Sequence, residues 1–314
     1  MNFTTNCLRF IAAAALLWFV QLVELGALAI IIVDTQVHIW AANTPERPWG
    51  EGMENRAHLP VPLGQEDLLT QMDRAGVDCA ILIPPSLDGD RNDLCLAAAQ
   101  QHPERFAVMG RLLLGHPSAP ARLAAMKHQR GMLGVRLTFH RDDDRPLLTN
   151  GAADWFWPAA ERLQMPVMVH APERLPEIAA IAARYPGLRI IIDHMGFARE
   201  TMDEHAMAGA RRVCELARYP NVSVKVSALP CYSTQSYPFR NLHDPLKRVI
   251  EAFGARRAFW GSDFSRLPRS CSYRQAVTMF TEELDFLVAD ELEWVMGRGV
   301  LHCLGWQPQT RQPR

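Results

Sequence analysis

Three histidines and one aspartate stand where short apolar runs of this 314-residue sequence end. His38 follows the run at 30–33, His170 the run at 166–169, His194 the run at 188–193, and Asp263 the run at 258–261. Imidazole and carboxylate give and take protons near neutral pH, and both ligate zinc or manganese. A carboxylate base beside several imidazoles can drive water at a carbonyl carbon and stabilise the oxyanion that develops. Singly, such residues are usually buried polar groups satisfied for structural reasons. Four of them at four run ends point instead to one shared site.

Two cations accompany them. Arg136 lies in the run at 134–139 and could hold a substrate carboxylate through its bidentate fork. Lys225 alternates with Ser223 and Ser227 against Val222, Val224 and Val226, which aims it toward a barrel interior, where it too could clamp a substrate carboxylate. Each could equally be a structural cation, since a buried guanidinium or ammonium needs an anion. Gln36, two residues before His38, could touch substrate or serve as a hydrogen-bonding spacer. Strand alternation places Asp34, Gln36 and His38 on one side and turns Asp193 away from His194. Trp40, Trp49, Tyr232 and Tyr237 are the aromatic residues expected to wall a pocket. Ser86, Arg91 and Asn92 could touch substrate or cap a helix.

The elements that must position these groups follow from the hydrophobic pattern. Apolar runs at 30–33, 79–83, 106–112, 134–139, 166–169, 188–193, 222–226 and 258–261 alternate with helical periodicity, for example at 65–75 and 291–304. That alternation is the signature of a parallel sheet wrapped by helices. Eight such units in about 270 residues match a single-domain (β/α)8 TIM barrel, whose active sites lie at the C-terminal ends of the strands. Long loops at 41–64 and 227–241 would frame that end. His58 has no strand-end context and reads as packing or surface, and His140 with Arg141 reads as part of a solvated charged loop.

Bulk properties narrow the partners. A net charge of −1, with no Lys/Arg block, disfavours nucleic acid and anionic membranes and leaves a small molecule as the expected partner. The seven cysteines are odd in number and scattered without C-x-x-C, against a disulfide framework or a thiolate zinc site and consistent with a cytoplasmic protein. Residues 1–29 form a hydrophobic extension, read either as a non-native start or as a signal-like segment that would export the chain. Residues 30–306 are the barrel and 307–314 a polar tail. A homo-oligomer is compatible with all of this.

The segments VDTQVHIW, MVHAP, IIDHMG, VKVSAL and FWGSDFSR, in this order on strands one, five, six, seven and eight, resemble the amidohydrolase superfamily, in its amidohydrolase-2 branch. The resemblance spans about residue 30 to Trp306. It implies a metal-dependent hydrolase scaffold whose relatives include lactonases and metal-dependent decarboxylases. It also implies a His-x-His metal motif at the end of strand one, which here reads Gln36-Val37-His38. The matching donors are His38, His170, His194 and Asp263, so a zinc or manganese site is weakened and the metal becomes one the reaction could dispense with. On this resemblance Asp263 is the general base, with His38, His170 and His194 as oxyanion stabilisers or metal ligands. The favoured activity is hydrolysis of a carboxylated lactone. A metal-dependent decarboxylase or amide hydrolase is the alternative on the same scaffold, and a non-catalytic ligand-binding barrel the alternative of another class.

Overall fold

The computed structural model describes residues 30–308 apart from 143 and 200. The expected extension at 1–29, and all but the first two residues of the tail at 307–314, lie outside the described residues. Eight parallel strands run in sequence order: β1 (Val33–Val37), β2 (Cys79–Leu82), β3 (Phe106–Arg111), β4 (Met132–Thr138), β5 (Val167–His170), β6 (Ile190–Ile192), β7 (Val222–Ser227) and β8 (Ala258–Gly261). Strands buried on both faces read as continuous apolar runs, which is why the sequence exposes them so plainly. Between them lie α1 (Gln65–Ala75), α2 (Asp93–Gln101), α3 (Ala119–Met126), α4 (Phe156–Arg162), α5 (Leu175–Arg184), α6 (Asp203–Cys214) and α7 (His243–Phe253). After β8 come α8 (Tyr273–Glu282), α9 (Ala289–Glu293) and α10 (Gly299–Leu304). The chain forms the expected TIM barrel.

The sheet curls until β8 meets β1, and the seam is held largely by side chains. The Asp263 amide donates to Gln36 O at 2.9 Å, Thr35 Oγ1 donates to Trp260 O at 2.6 Å, and the Ser262 amide donates to Asp34 Oδ1 at 2.8 Å. Asp34 also accepts from the Tyr273 hydroxyl at 2.7 Å. The ladder between β1 and β2 shifts register between Asp34 and Val37. Such an irregularity re-aims the side chains around it. Asp34 therefore spends its carboxylate on the β8 and α8 side, while the side chains of Gln36 and His38 bond each other. The strict alternation expected for strand one does not hold.

Strand one also begins later than its apolar run suggests, since β1 is the polar half of the motif. The predicted helix at 291–304 is interrupted by a π turn at Trp294–Arg298. Here Gly297 passes so close to the chain before β1 that a Cβ would lie 2.2 Å from Ile31 O. Val300, Leu304 and Trp306 join Val33, Ile81, Met109, Met168, Ile191 and Phe259 in one apolar cluster that fills the barrel below the site. Among the described residues no helix is long and apolar enough to cross a membrane.

Gly134 on β4 is the tightest point between neighbouring strands: an added Cβ would lie 2.3 Å from Pro166 O and 2.7 Å from Met109 Cε. Overpacking of this kind costs about 2–3 kcal/mol. Gly134→Ala is expected to lower the urea midpoint accordingly, and an unchanged midpoint would contradict the packing described.

Candidate active site

A cavity of about 710 Å³ opens at the C-terminal ends of the strands. His38, Trp40, Arg136, His170, His194, Tyr232 and Asp263 all line it. Seven of the nine residues expected to serve the site thus reach one space. Gln36 and Lys225 do not: both are fully buried and lie outside the cavity lining. Trp49 and Tyr237 are also absent from its wall. Trp49 bonds Ala41 O at 3.1 Å, and the Tyr237 hydroxyl donates to Thr278 at 3.0 Å. Of the loop after β2, Ser86 lines the cavity, whereas Asn92 holds the backbone of Arg111.

Asp263 is the centre of the arrangement. Its Oδ1 lies 3.5 Å from His38 Nε2, and its Oδ2 lies 3.9 Å from His194 Nε2 and 3.4 Å from Arg266 Nη1. Burial by itself would raise the carboxyl, but His38, His194 and then Arg266 outweigh it and hold Asp263 well below the ordinary carboxylate range. It is ionised at any working pH. Its Oδ1 receives no hydrogen bond from any described residue. Asp263 and His194 both adopt left-handed backbone conformations, at φ 52° and φ 50°. Non-glycine residues held there cluster at functional sites, because the surrounding structure must impose the conformation.

The imidazoles are neutral. Desolvation lowers His38, lowers His170 well below its usual value, and pushes His194 down to about 3. His38 Nδ1 lies 2.7 Å from Ile83 O, and a carbonyl can only accept, so Nδ1 carries the proton and Nε2 is bare. His194 Nδ1 bonds Ser227 Oγ at 2.8 Å. His170 packs between His140 and His194, and its Nδ1 is buried without a partner among the described residues.

Beneath the cavity, Asp193 accepts from Arg136 Nε at 3.0 Å and pairs with Lys225 Nζ at 2.6 Å. Burial raises the Asp193 carboxyl, yet these two cations hold it far below its usual value. Asp193 follows Ile191 in parity and points inward, contrary to the outward aim expected from the sequence. The turn at Asp193–Gly196, not continued alternation, sends His194 into the cavity. Lys225 also donates to Gln36 Oε1 and approaches Thr35 O at 3.3 Å. Its three donors are engaged in the floor, and that is why it does not reach substrate space.

Sequence reasoning missed several wall residues. His58, from the long loop after β1, stands edge-on to His38 with centroids 6.0 Å apart and bonds Ser265 Oγ at 2.7 Å. His140, Arg141, Arg145, Arg199, Arg56 and Arg266 also line the cavity. Arg266 lies over the Tyr232 ring at 5.2 Å. These residues sit on loops without local periodicity, so only their FSR- and HR-type adjacency to strand ends could have drawn attention to them.

Among the described residues no group of three or more His, Cys, Asp or Glu side chains could hold a metal ion. The lone pair of His38 Nε2 is occupied by the Gln36 amide at 3.2 Å. The residues present do not fit a divalent cation.

Burial lowers both His58 and His140 to about 4. A histidine depressed in the folded state takes up its proton first in the unfolded chain, so stability falls as pH drops from about 6.5 toward about 4. Urea midpoints at pH 7.5, 6 and 5 should decline in that order, and His58→Gln/His140→Gln should flatten the trend. A wild-type midpoint constant across this window would refute the neutral, buried state of these rings.

Comparison with known proteins agrees with the architecture. The amidohydrolase family model Amidohydro_2 matches residues 33–298. The chain is 28% identical over 237 residues to L-fucono-1,5-lactonase of Burkholderia ambifaria, covering 74% of this chain and 79% of that protein. It is 24% identical over 232 residues to 4-sulfomuconolactone hydrolase of Rhizobium radiobacter, covering 74% of each. A crystal structure of an amidohydrolase from Burkholderia multivorans with bound zinc superimposes with a TM-score of 0.72 at 21% identity, over 88% of this chain and all of that one. Members of this family commonly bind a divalent metal, and the amide at position 36 sets the present donor set apart from that habit. With an eight-stranded barrel, two strand-end histidines beside one buried carboxylate and a family match over most of its length, the chain belongs to the amidohydrolase family and is a hydrolase.

Proposed function

We propose that the protein opens a carboxylated lactone by water attack assisted by Asp263. The observation that carries this reading is a buried, ionised Asp263 with an unengaged Oδ1 at the base of a cavity walled by arginines. Asp263 Oδ1 accepts from no described residue, whereas His38 Nε2, 3.5 Å away, already takes the Gln36 amide N–H. A water donating one hydrogen to Asp263 Oδ1 keeps a lone pair for the carbonyl carbon. As the new C–O bond forms, Asp263 takes the proton, and the carbonyl oxygen gathers charge that Arg136 and the ring of His170 can meet. Collapse breaks the ring C–O bond, and the proton on Asp263 passes to the leaving alkoxide, giving the hydroxy acid.

A carboxylate this acidic is a weak base while Arg266 faces it. An anionic substrate that pairs with Arg266 and its neighbours would cancel part of that field and restore basicity as it binds. Among similar proteins, a fuconolactone offers arginines no anion, whereas the sulfo group of a sulfomuconolactone does. The arginine wall favours the second kind of substrate here.

The test is a panel of neutral, mono- and dicarboxylated lactones assayed with wild type and Asp263→Asn. The expected result is at least about 100-fold higher kcat/KM for a carboxylated lactone over a neutral sugar lactone, two charge-assisted pairs being ample for that preference. Asp263→Asn should lower kcat about 10³-fold while remaining folded. A preference for neutral lactones would remove the role given to the arginines, and full activity of Asp263→Asn would remove the base. Carbon dioxide release from an aromatic acid would show a decarboxylase instead.

A further inference from the structure

We propose that Gln36, oriented by Lys225, is a positioning residue that closes the His38 coordination position to divalent cations by holding an amide N–H on the Nε2 lone pair. The argument is one of hydrogen-bond polarity, and each assignment is forced by a group with only one sense. Lys225 Nζ is an ammonium and can only donate. It contacts Gln36 Oε1, so the oxygen of the Gln36 amide, and not its nitrogen, faces the lysine. The lysine cannot swing away: it is fully buried, 2.6 Å from Asp193 Oδ1 and 3.3 Å from Thr35 O. The amide nitrogen must then point the other way, and it lies 3.2 Å from His38 Nε2. At the far side of the same ring, Ile83 O can only accept, and it takes the Nδ1 proton at 2.7 Å. Nε2 is therefore an acceptor already supplied with a donor.

A metal ligand needs that same lone pair. A cation at this position would have to displace the Gln36 amide, and rotating the amide would set its nitrogen against the Lys225 ammonium, donor to donor. Histidine at position 36 would offer a second imidazole instead of a competing N–H. Lys225 acts through Gln36 and does not touch the cavity. The inference does not rest on the lactonase reading, because it is read from metal content and imidazole protonation and not from turnover.

The experiment has two arms. Nitrogen-15 NMR of histidine-labelled wild-type protein at pH 7.5 should show His38 with a protonated Nδ1 and an unprotonated Nε2. In the isosteric Gln36→Glu variant the group facing Nε2 becomes an acceptor, so Nε2 should move to a protonated, pyrrole-like shift. In the second arm, wild type and Gln36→His are exposed to zinc, desalted and analysed for metal. Wild type should retain well under one zinc per chain, and Gln36→His should rise toward about one, as expected when an imidazole replaces the amide. A protonated Nε2 in wild type, an Nε2 unchanged by Gln36→Glu, or stoichiometric zinc in wild type would each overturn the proposal. Should Gln36→His fail to fold, the wild-type spectrum and wild-type zinc content still decide it.

Discussion

The structure depends on one buried carboxylate. Asp193 sits between Arg136 of β4 and Lys225 of β7, and neither cation could be held inside the barrel without it. Through Lys225 the same group reaches β1, since the lysine bridges to Gln36 and the Thr35 carbonyl. Three strands and the end of a fourth are thus joined by charge under a site whose walls are otherwise loops. The apolar layer below, from Met168, Ile191 and Phe259, makes this network the boundary between packed core and solvated cavity. Buried ion networks of this kind add little net stability but penalise any arrangement that separates their members.

The floor also explains how the walls are aimed. Because Asp193 is drawn inward to the cations, the next residue cannot follow strand geometry to reach the cavity. The backbone turns left-handed at His194 and Met195, and the imidazole emerges beside Asp263. On the other side of the seam Asp263 makes the same kind of turn, anchored by its amide on Gln36 O. Two groups that line the cavity are therefore placed by strained backbone at strand ends, and the bonds across the β8–β1 seam hold that strain.

The barrel was legible because its strands are buried on both faces and read as apolar runs of the right number and spacing. The boundaries of β8 and α1 coincide with their patterns, for there Gly261 and Gly76 end the elements abruptly. His38, His170, His194 and Asp263 were legible because strand ends locate them. The floor was not. Sequence alternation cannot show a register shift in β1, and so it grouped Asp34 with Gln36 although Asp34 serves Ser262 and Tyr273. Nor can it distinguish a cation facing substrate from one facing a partner two strands away, and Lys225 is of the second kind, turned to Gln36 and Asp193. His58 and the wall arginines escaped notice because loop residues meet only after the barrel has closed.

The arginine wall bears on the end of the reaction as much as on its beginning. Opening a lactone at neutral pH creates a carboxylate where an ester stood, so the product leaves with one more negative charge than the substrate brought. A cavity lined by Arg136, Arg141, Arg145, Arg199 and Arg266 holds that product more firmly than the compound it came from. Of these, Arg199 is exposed, and Arg141, Arg145 and Arg266 are partly so, where dissolved ions screen them. On the reading proposed, departure of the hydroxy acid is the slow event under dilute conditions. Ionic strength then acts on turnover in two opposing ways, weakening capture and hastening escape.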